Sequence, residues 1–228
     1  MSLQLQKFDM NKVFVVIPAY NEEETIGEVI DGVKKYCQNI IVVDDGSKDK
    51  TYEIADQKGI KALKHKINLG KGAALKTGCE VAMKKKADAI VIMDADGQHS
   101  AEDVLKLVNE IKQKDADIVF AARKFNKKMP IAMLIGNKFL SWSIKNILRL
   151  RINDSQCGLK AFKSSIYPKI KWNSQDYRVE TEIIVNMSRH KIRYSEVYIE
   201  TIYKDSYKGT TPIDGLKIFF SIINWKFL

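Results

Sequence analysis

The sequence predicts an α/β protein with a mostly parallel central sheet and helices on both faces. Over the first 120 residues, short β-branched runs recur roughly every 20 to 30 positions. Each run ends in a polar loop, and each loop opens into a stretch with apolar residues at helical spacing. That interval is the length of a strand plus a crossover helix. The runs are also largely continuous in apolar character, as strands buried on both faces require.

Taken in order, the first strand is predicted at 13–18 (VFVVIP), with a helix over 22–36. A second run at 40–43 (IIVV) precedes a helix over 49–58, and a third at 60–63 (IKAL) precedes one over 71–85. The fourth, 89–93 (AIVIM), leads to a helix over 101–114, and 117–122 (DIVFAA) closes the rhythm. Beyond Arg123, residues 129–150 read as one or two amphipathic helices, a helix is expected around 180–189, and 194–203 is strand-like. Thr211-Pro212-Ile213-Asp214 has the form of a helix start, with Thr as cap, Pro in the first turn and an acid three residues on. In that last helix Asp214, Lys217, Ser221 and Asn224 form one narrow polar stripe, and nearly everything else is apolar. So wide an apolar face must pack on the core, on another subunit or membrane partner, or into a membrane interface.

A chain of 228 residues and 26.1 kDa fits one compact domain. Its simplest division is a half at 1–122, a second half at 123–211 and a terminal helix at 212–228. Hydrophobic residues at 45% with charged residues at 29% argue against disorder and disulfide-stapled scaffolds. Cys37, Cys79 and Cys157 are odd in number and widely spaced, so a reducing, cytoplasmic setting is expected. The opening residues lack the apolar core of a signal peptide, and no run of about 20 apolar residues is present to span a bilayer. Residues 1–120 carry 18 basic and 20 acidic side chains, whereas 121–228 carry 20 basic and 8 acidic. The whole +10 excess therefore lies in the second half, which suggests a polyanionic partner there: nucleic acid, anionic headgroups or a phosphorylated substrate.

In parallel sheets ligands bind beyond the carboxyl ends of the strands, so those loops are where chemistry is expected. The strongest signal is Asp94-Ala95-Asp96-Gly97-Gln98-His99 after the fourth run. In extended chain, Asp94, Asp96 and Gln98 point the same way. Two carboxylates about 4 Å apart repel by about 4 kcal/mol at an effective dielectric of about 20, a cost that a divalent cation offsets. With oxygen ligands only, that cation is hard, Mg²⁺ or Mn²⁺ rather than zinc. Weaker signals are Asp44-Asp45-Gly46-Ser47 after the second run, Pro18-Ala19-Tyr20-Asn21-Glu22 after the first, and Asn68-Leu69-Gly70-Lys71-Gly72, where Lys71 can meet a diphosphate. No Walker A sequence is present, and no G-x-G-x-x-G follows a strand. His65, His99 and His190 are scattered and suggest no triad.

Together IPAYNEE, VVDDGSKDKT, NLGKGAALKTG, MDADGQH and AAR, in this order and spacing, resemble the family 2 glycosyltransferases of GT-A fold. The branch most similar is the polyprenyl-phosphate sugar synthases, because Asp154 to Lys160 (DSQCGLK) resembles that branch's D-x-Q-C/S-G-F-R/K segment. The resemblance implies that Pro18, Ala19, Tyr20, Glu22, Asp44 and Asp45 hold the nucleotide, with Lys71 nearby. It implies further that Asp94, Asp96 and Gln98 hold the metal and the donor diphosphate, and that Arg123 grips the acceptor phosphate. Asp154 becomes an orienting carboxylate or auxiliary base. Where the family often shows an arginine pair, this chain has Met133-Leu134, so a second acceptor-phosphate cation must come from Lys138, Lys204 or Lys208, or be absent. A lipid acceptor also gives the basic half a purpose, since it would lie against the cytoplasmic face of a membrane as a peripheral protein. The rival readings are a GT-A enzyme acting on a soluble sugar, polysaccharide or protein, and a nucleic-acid-binding module, which the dispersed lysines and the lack of a recognition motif disfavour.

Overall fold

The computed structural model describes residues 9–124, 131–202 and 212–227. Its seven strands are β1 (Val13–Ala19), β2 (Ile40–Asp44), β3 (Lys61–Lys64), β4 (Ala89–Ile92), β5 (Ile118–Arg123), β6 (Lys160–Lys163) and β7 (Tyr194–Ile199). They form one sheet in the order β3-β2-β1-β4-β6-β5-β7. All neighbours run parallel except β6, which is antiparallel to both β4 and β5. The chain therefore walks outward from β1 to β3, then returns to lay β4 on the other side of β1. That reversal opens a crevice at the carboxyl ends of β1 and β4.

Alternate residues of each strand divide between two cores. On one face Val16, Val43, Ile90, Ile92, Phe120 and Phe162 pack under α3 (Lys71–Lys84), α5 (Ile131–Leu148), α6 (Tyr167–Ile170), α7 (Val179–Arg189) and α8 (Pro212–Phe227). On the other Val15, Ile17, Val42, Val91, Val119 and Ala161 pack under α1 (Ile26–Lys34), α2 (Thr51–Gln57) and α4 (Glu102–Lys114). The helices thus lie on both faces, as the continuous apolar runs require.

Three local expectations are corrected. The strand β6 is not anticipated, because only Ala161 and Phe162 are apolar in it. Its Lys160 is nevertheless fully buried, bonded to Glu180 and to the Cys157 carbonyl. The first helix opens at Ile26 rather than at 22, since residues 21–23 are held by the neighbouring loop. The last strand stops at Ile199. In α8, Ile218 and Ile222 pack on the core, while Leu216, Phe220 and Ile223 stay exposed. Among the described residues no helix is long and apolar enough to cross a membrane.

Candidate functional site

The crevice between β1 and β4 is a cleft of about 360 Å³. Pro18, Ala19, Tyr20 and Glu22 line it from the end of β1, Asp45 from the end of β2, and Asp94, Ala95 and Asp96 from the end of β4. Asn68, Gly70 and Lys71 enter at the start of α3, and Asp176 and Tyr177 close one side from the loop before α7.

The two loops after β1 and β2 are interlocked. Ser47 Oγ accepts from the Asn21 N–H at 2.8 Å, Thr51 Oγ1 from the Glu22 N–H at 2.8 Å, and Asn21 Oδ1 from the Lys48 N–H at 3.0 Å. Asn21 sits at φ 53°, a left-handed conformation that Asn tolerates. The acidic pair of this region splits its work. Asp45 faces the cleft, accepts from the Leu69 and Gly70 N–H groups at 3.0 and 2.7 Å, and contacts His65 Nδ1 at 2.7 Å. Asp44, expected beside Asp45 in holding the nucleotide, is not among the residues that line the cleft. It is fully buried, accepting from the Ser47 N–H at 3.1 Å with Lys64 Nζ 3.6 Å away, so it shapes the loop.

At the crevice floor Lys71 Nζ lies 2.6 Å from Asp94 and 3.0 Å from Glu180. Glu180 also binds the buried Lys160, so four charges alternate in sign from α3 and the end of β4 to β6 and α7. Burial acts to raise the Asp94 carboxyl, but the Lys71 ammonium, by its charge and its hydrogen bond, together with the Lys160 charge outweighs it and holds it below the usual carboxylate range. Asp96 moves the other way, pushed up to about 6 by burial and by the Asp94 charge beside it. His99 is pushed down to about 4 by burial, leaving it neutral near pH 7. Gly158 lies directly against the Asp94 carboxylate, and any Cβ there would overlap it, so glycine leaves the carboxylate where it stands.

The donor set at Asp94 and Asp96 is oxygen only, and the Lys71 ammonium already stands on Asp94 as a cation would. Among the described residues no cluster of three or more His, Cys, Asp or Glu side chains could hold a metal alone. Two carboxylates fit a hard divalent ion that takes its other ligands from a diphosphate and water, the usual habit of Mg²⁺. Gln98, expected as the third ligand, is 8% exposed and outside the cleft lining, and its backbone N–H donates to Asp96 Oδ1 at 3.0 Å.

Arg123 and Asp154 form a buried bidentate pair, Nε to Oδ2 at 2.6 Å and Nη2 to Oδ1 at 3.0 Å. Two nitrogens of the fork expected to grip an acceptor phosphate are thus turned to a carboxylate, and neither residue lines the cleft. Lys138 is exposed on α5, while Lys204 and Lys208 lie outside the described residues. Asp176, Tyr177 and Glu180 are site residues that sequence reasoning misses. The one signal for them is Gly70 and Gly72, where a Cβ would strike the backbone of Gln175 and Ser174.

A mostly parallel sheet with a cleft at its switch point and paired acids after β4 is the arrangement expected of a GT-A nucleotide-sugar transferase. The chain belongs to glycosyl transferase family 2, whose model matches residues 14–170. It is 38% identical to the uncharacterised protein MJ1222 of Methanocaldococcus jannaschii, covering 98% of this chain and 96% of that one. It is 33% identical to the UDP-N-acetylglucosamine–dolichyl-phosphate N-acetylglucosaminyltransferase of Methanococcus voltae, covering 94% and 96%. Among solved structures, the glucosyl-3-phosphoglycerate synthase of Mycobacterium tuberculosis in complex with Mn²⁺, UDP and glucosyl-3-phosphoglycerate matches with a TM-score of 0.71. That match is 20% identical and covers 94% of this chain and 78% of that one, and it shows the shared fold.

Proposed function

We propose that this glycosyltransferase moves a sugar from a nucleoside diphosphate sugar to a polyprenyl phosphate, with inversion at the anomeric carbon. The observation that carries the donor half is the cluster of Asp94, Asp96 and Lys71 at the crevice between β1 and β4. Pro18, Ala19, Tyr20, Glu22 and Asp45 hold the nucleotide there, and Asp44 holds the loop that carries Asp45. Asp94 and Asp96 hold a divalent ion, with Gln98 fixing Asp96 through its backbone N–H. When bound, Mg²⁺ or Mn²⁺ neutralises the charge developing on the leaving β-phosphate.

The reaction forms a bond from an acceptor phosphate oxygen to the anomeric carbon and breaks the bond to the β-phosphate oxygen, releasing the nucleoside diphosphate. A phosphate monoester has a second pKa near 6 and is already mostly dianionic at pH 7. No strong base is needed. Asp154 orients Arg123, whose planar fork suits a phosphate. Any second cation for the acceptor phosphate comes from Lys138, Lys204 or Lys208.

Support for a lipid acceptor comes from the dolichyl-phosphate enzyme of Methanococcus voltae and from one surface. Ile135, Phe139 and Trp142 of α5 and Leu216, Phe220 and Ile223 of α8 are exposed. The two helices meet at Phe139 and Phe219, whose ring centroids are 5.1 Å apart. Exposed Lys138, Lys145 and Lys226 lie on the same two helices. Apolar side chains beside lysines suit the headgroup boundary, where each basic residue adds about 1 kcal/mol on an anionic surface. On this reading the protein works as a peripheral protein of a membrane surface.

One experiment reads both parts. With radiolabelled nucleotide sugars and anionic vesicles carrying polyprenyl phosphate, the protein should float with the vesicles and label should pass into the organic phase. Label appearing only on free sugars or protein acceptors, with the protein left in the soluble fraction, would refute the lipid reading.

A further inference from the structure

We propose that Lys71 is a built-in counter-ion for the metal seat, occupying Asp94 in the free protein and drawn onto the donor diphosphate when the divalent ion arrives. Glu180 and Lys160 are the positioning residues that keep it within reach. The inference rests on the donor and metal roles proposed above.

Lys71 is the first residue of α3, and its ammonium lies between two carboxylates, 2.6 Å from Asp94 and 3.0 Å from Glu180. Glu180 is itself fixed. Its side chain is 3% exposed, and it binds Lys160, which is wholly buried and donates to the Cys157 carbonyl at 2.9 Å. Two lysines and two acids thus balance without any metal. A divalent ion brought to Asp94 and Asp96 meets an ammonium already seated on Asp94, and like charges that close oppose each other strongly. One of the two must move.

The backbone at Lys71 cannot. Gly70 adopts φ 94°, the Gly72 N–H donates to the Gln175 carbonyl at 2.7 Å, and at both glycines a Cβ would strike the 174–175 backbone. Movement is left to the Lys71 side chain, which has Glu180 as a second seat and Tyr177 alongside, its ring centroid 5.9 Å from Nζ. A diphosphate in the cleft supplies a third seat, at a helix N-terminus that favours anions. Each partner then assists the other. The diphosphate pulls Lys71 off Asp94 and opens the metal seat, and the metal frees Lys71 for the diphosphate. Reciprocal coupling of this kind lowers metal affinity in the free protein and restores it with donor bound.

The test is a Mn²⁺ titration of the intact protein, monitored by the electron paramagnetic resonance of free Mn²⁺, with and without UDP or GDP. Without nucleotide, Lys71→Met should bind Mn²⁺ roughly tenfold more tightly than wild type, within the usual range for coupled sites. The gain on adding nucleotide should be correspondingly smaller in the variant. Equal or weaker Mn²⁺ binding by a folded Lys71→Met overturns the proposal. Should that variant not fold, the wild type decides: acetylation of Lys71, read by mass spectrometry, should rise when saturating Mn²⁺ alone is added, and unchanged labelling overturns the proposal. Wild-type protein that takes up no Mn²⁺ even with UDP or GDP overturns the donor reading as well, which separates the two failures.

Discussion

Replacing Asp94 with asparagine should lower sugar transfer by about 10²- to 10³-fold, the loss typical of removing one preorganised electrostatic stabiliser. Asn keeps the shape that lies against Gly158 and keeps an oxygen for Lys71. It removes the negative charge that draws a divalent ion. The fold should therefore survive, because neither the two cores nor the β1–β4 ladder depends on that charge. Initial rates with saturating donor, set beside a thermal melt of the same preparation, check both halves. A variant that keeps wild-type turnover would remove Asp94 from the reaction.

The second large effect falls on stability. Arg123 and Asp154 are 7% and 1% exposed and joined by two side-chain hydrogen bonds, so truncating one leaves the other charged and buried. Breaking such a pair costs about 3–5 kcal/mol. Arg123→Met or Asp154→Leu should each lower the melting temperature by roughly 2–4 °C per kcal/mol lost. The double variant Arg123→Met/Asp154→Leu should recover much of that loss, since an apolar pair needs no compensation. On the proposed reading activity should stay low in all three, because each lacks either Arg123 or the carboxylate that orients it. Single variants that melt with the wild type would show the pair to be dispensable for folding.

Most of the fold is legible in the sequence because β1, β2, β4 and β5 are buried apolar runs, and the regular interval between runs places β3 as well although Lys61 and Lys64 end it. The strand β6 escapes that logic. Lys160 and Lys163 bracket only Ala161 and Phe162, and what buries Lys160 is an ion pair with Glu180. No local pattern announces a partner 20 residues away. The start of α1 is missed for a similar reason, since bonds from Ser47, Asp49 and Thr51 hold residues 21–23 out of the helix.

The site divides along the same line. Tyr20, Asp45, Asp94 and Asp96 sit where apolar runs give way to polar loops, so the sequence points to them, and the fold brings them to one cleft. Asp44 and Gln98 show the limit of that method. A strand end has two sides, and the sequence does not say which neighbour faces the ligand. Asp176, Tyr177 and Glu180 come from a distant segment, and only the glycines at 70 and 72 hint that another backbone comes close. Glycine reports that something approaches without reporting what.

The most direct test of the central claim, that Asp94 and Asp96 hold a hard ion against a diphosphate, is sugar transfer measured before and after chelation. In excess EDTA the rate should fall to background and return on adding Mg²⁺ or Mn²⁺. Undiminished transfer in EDTA would contradict the account.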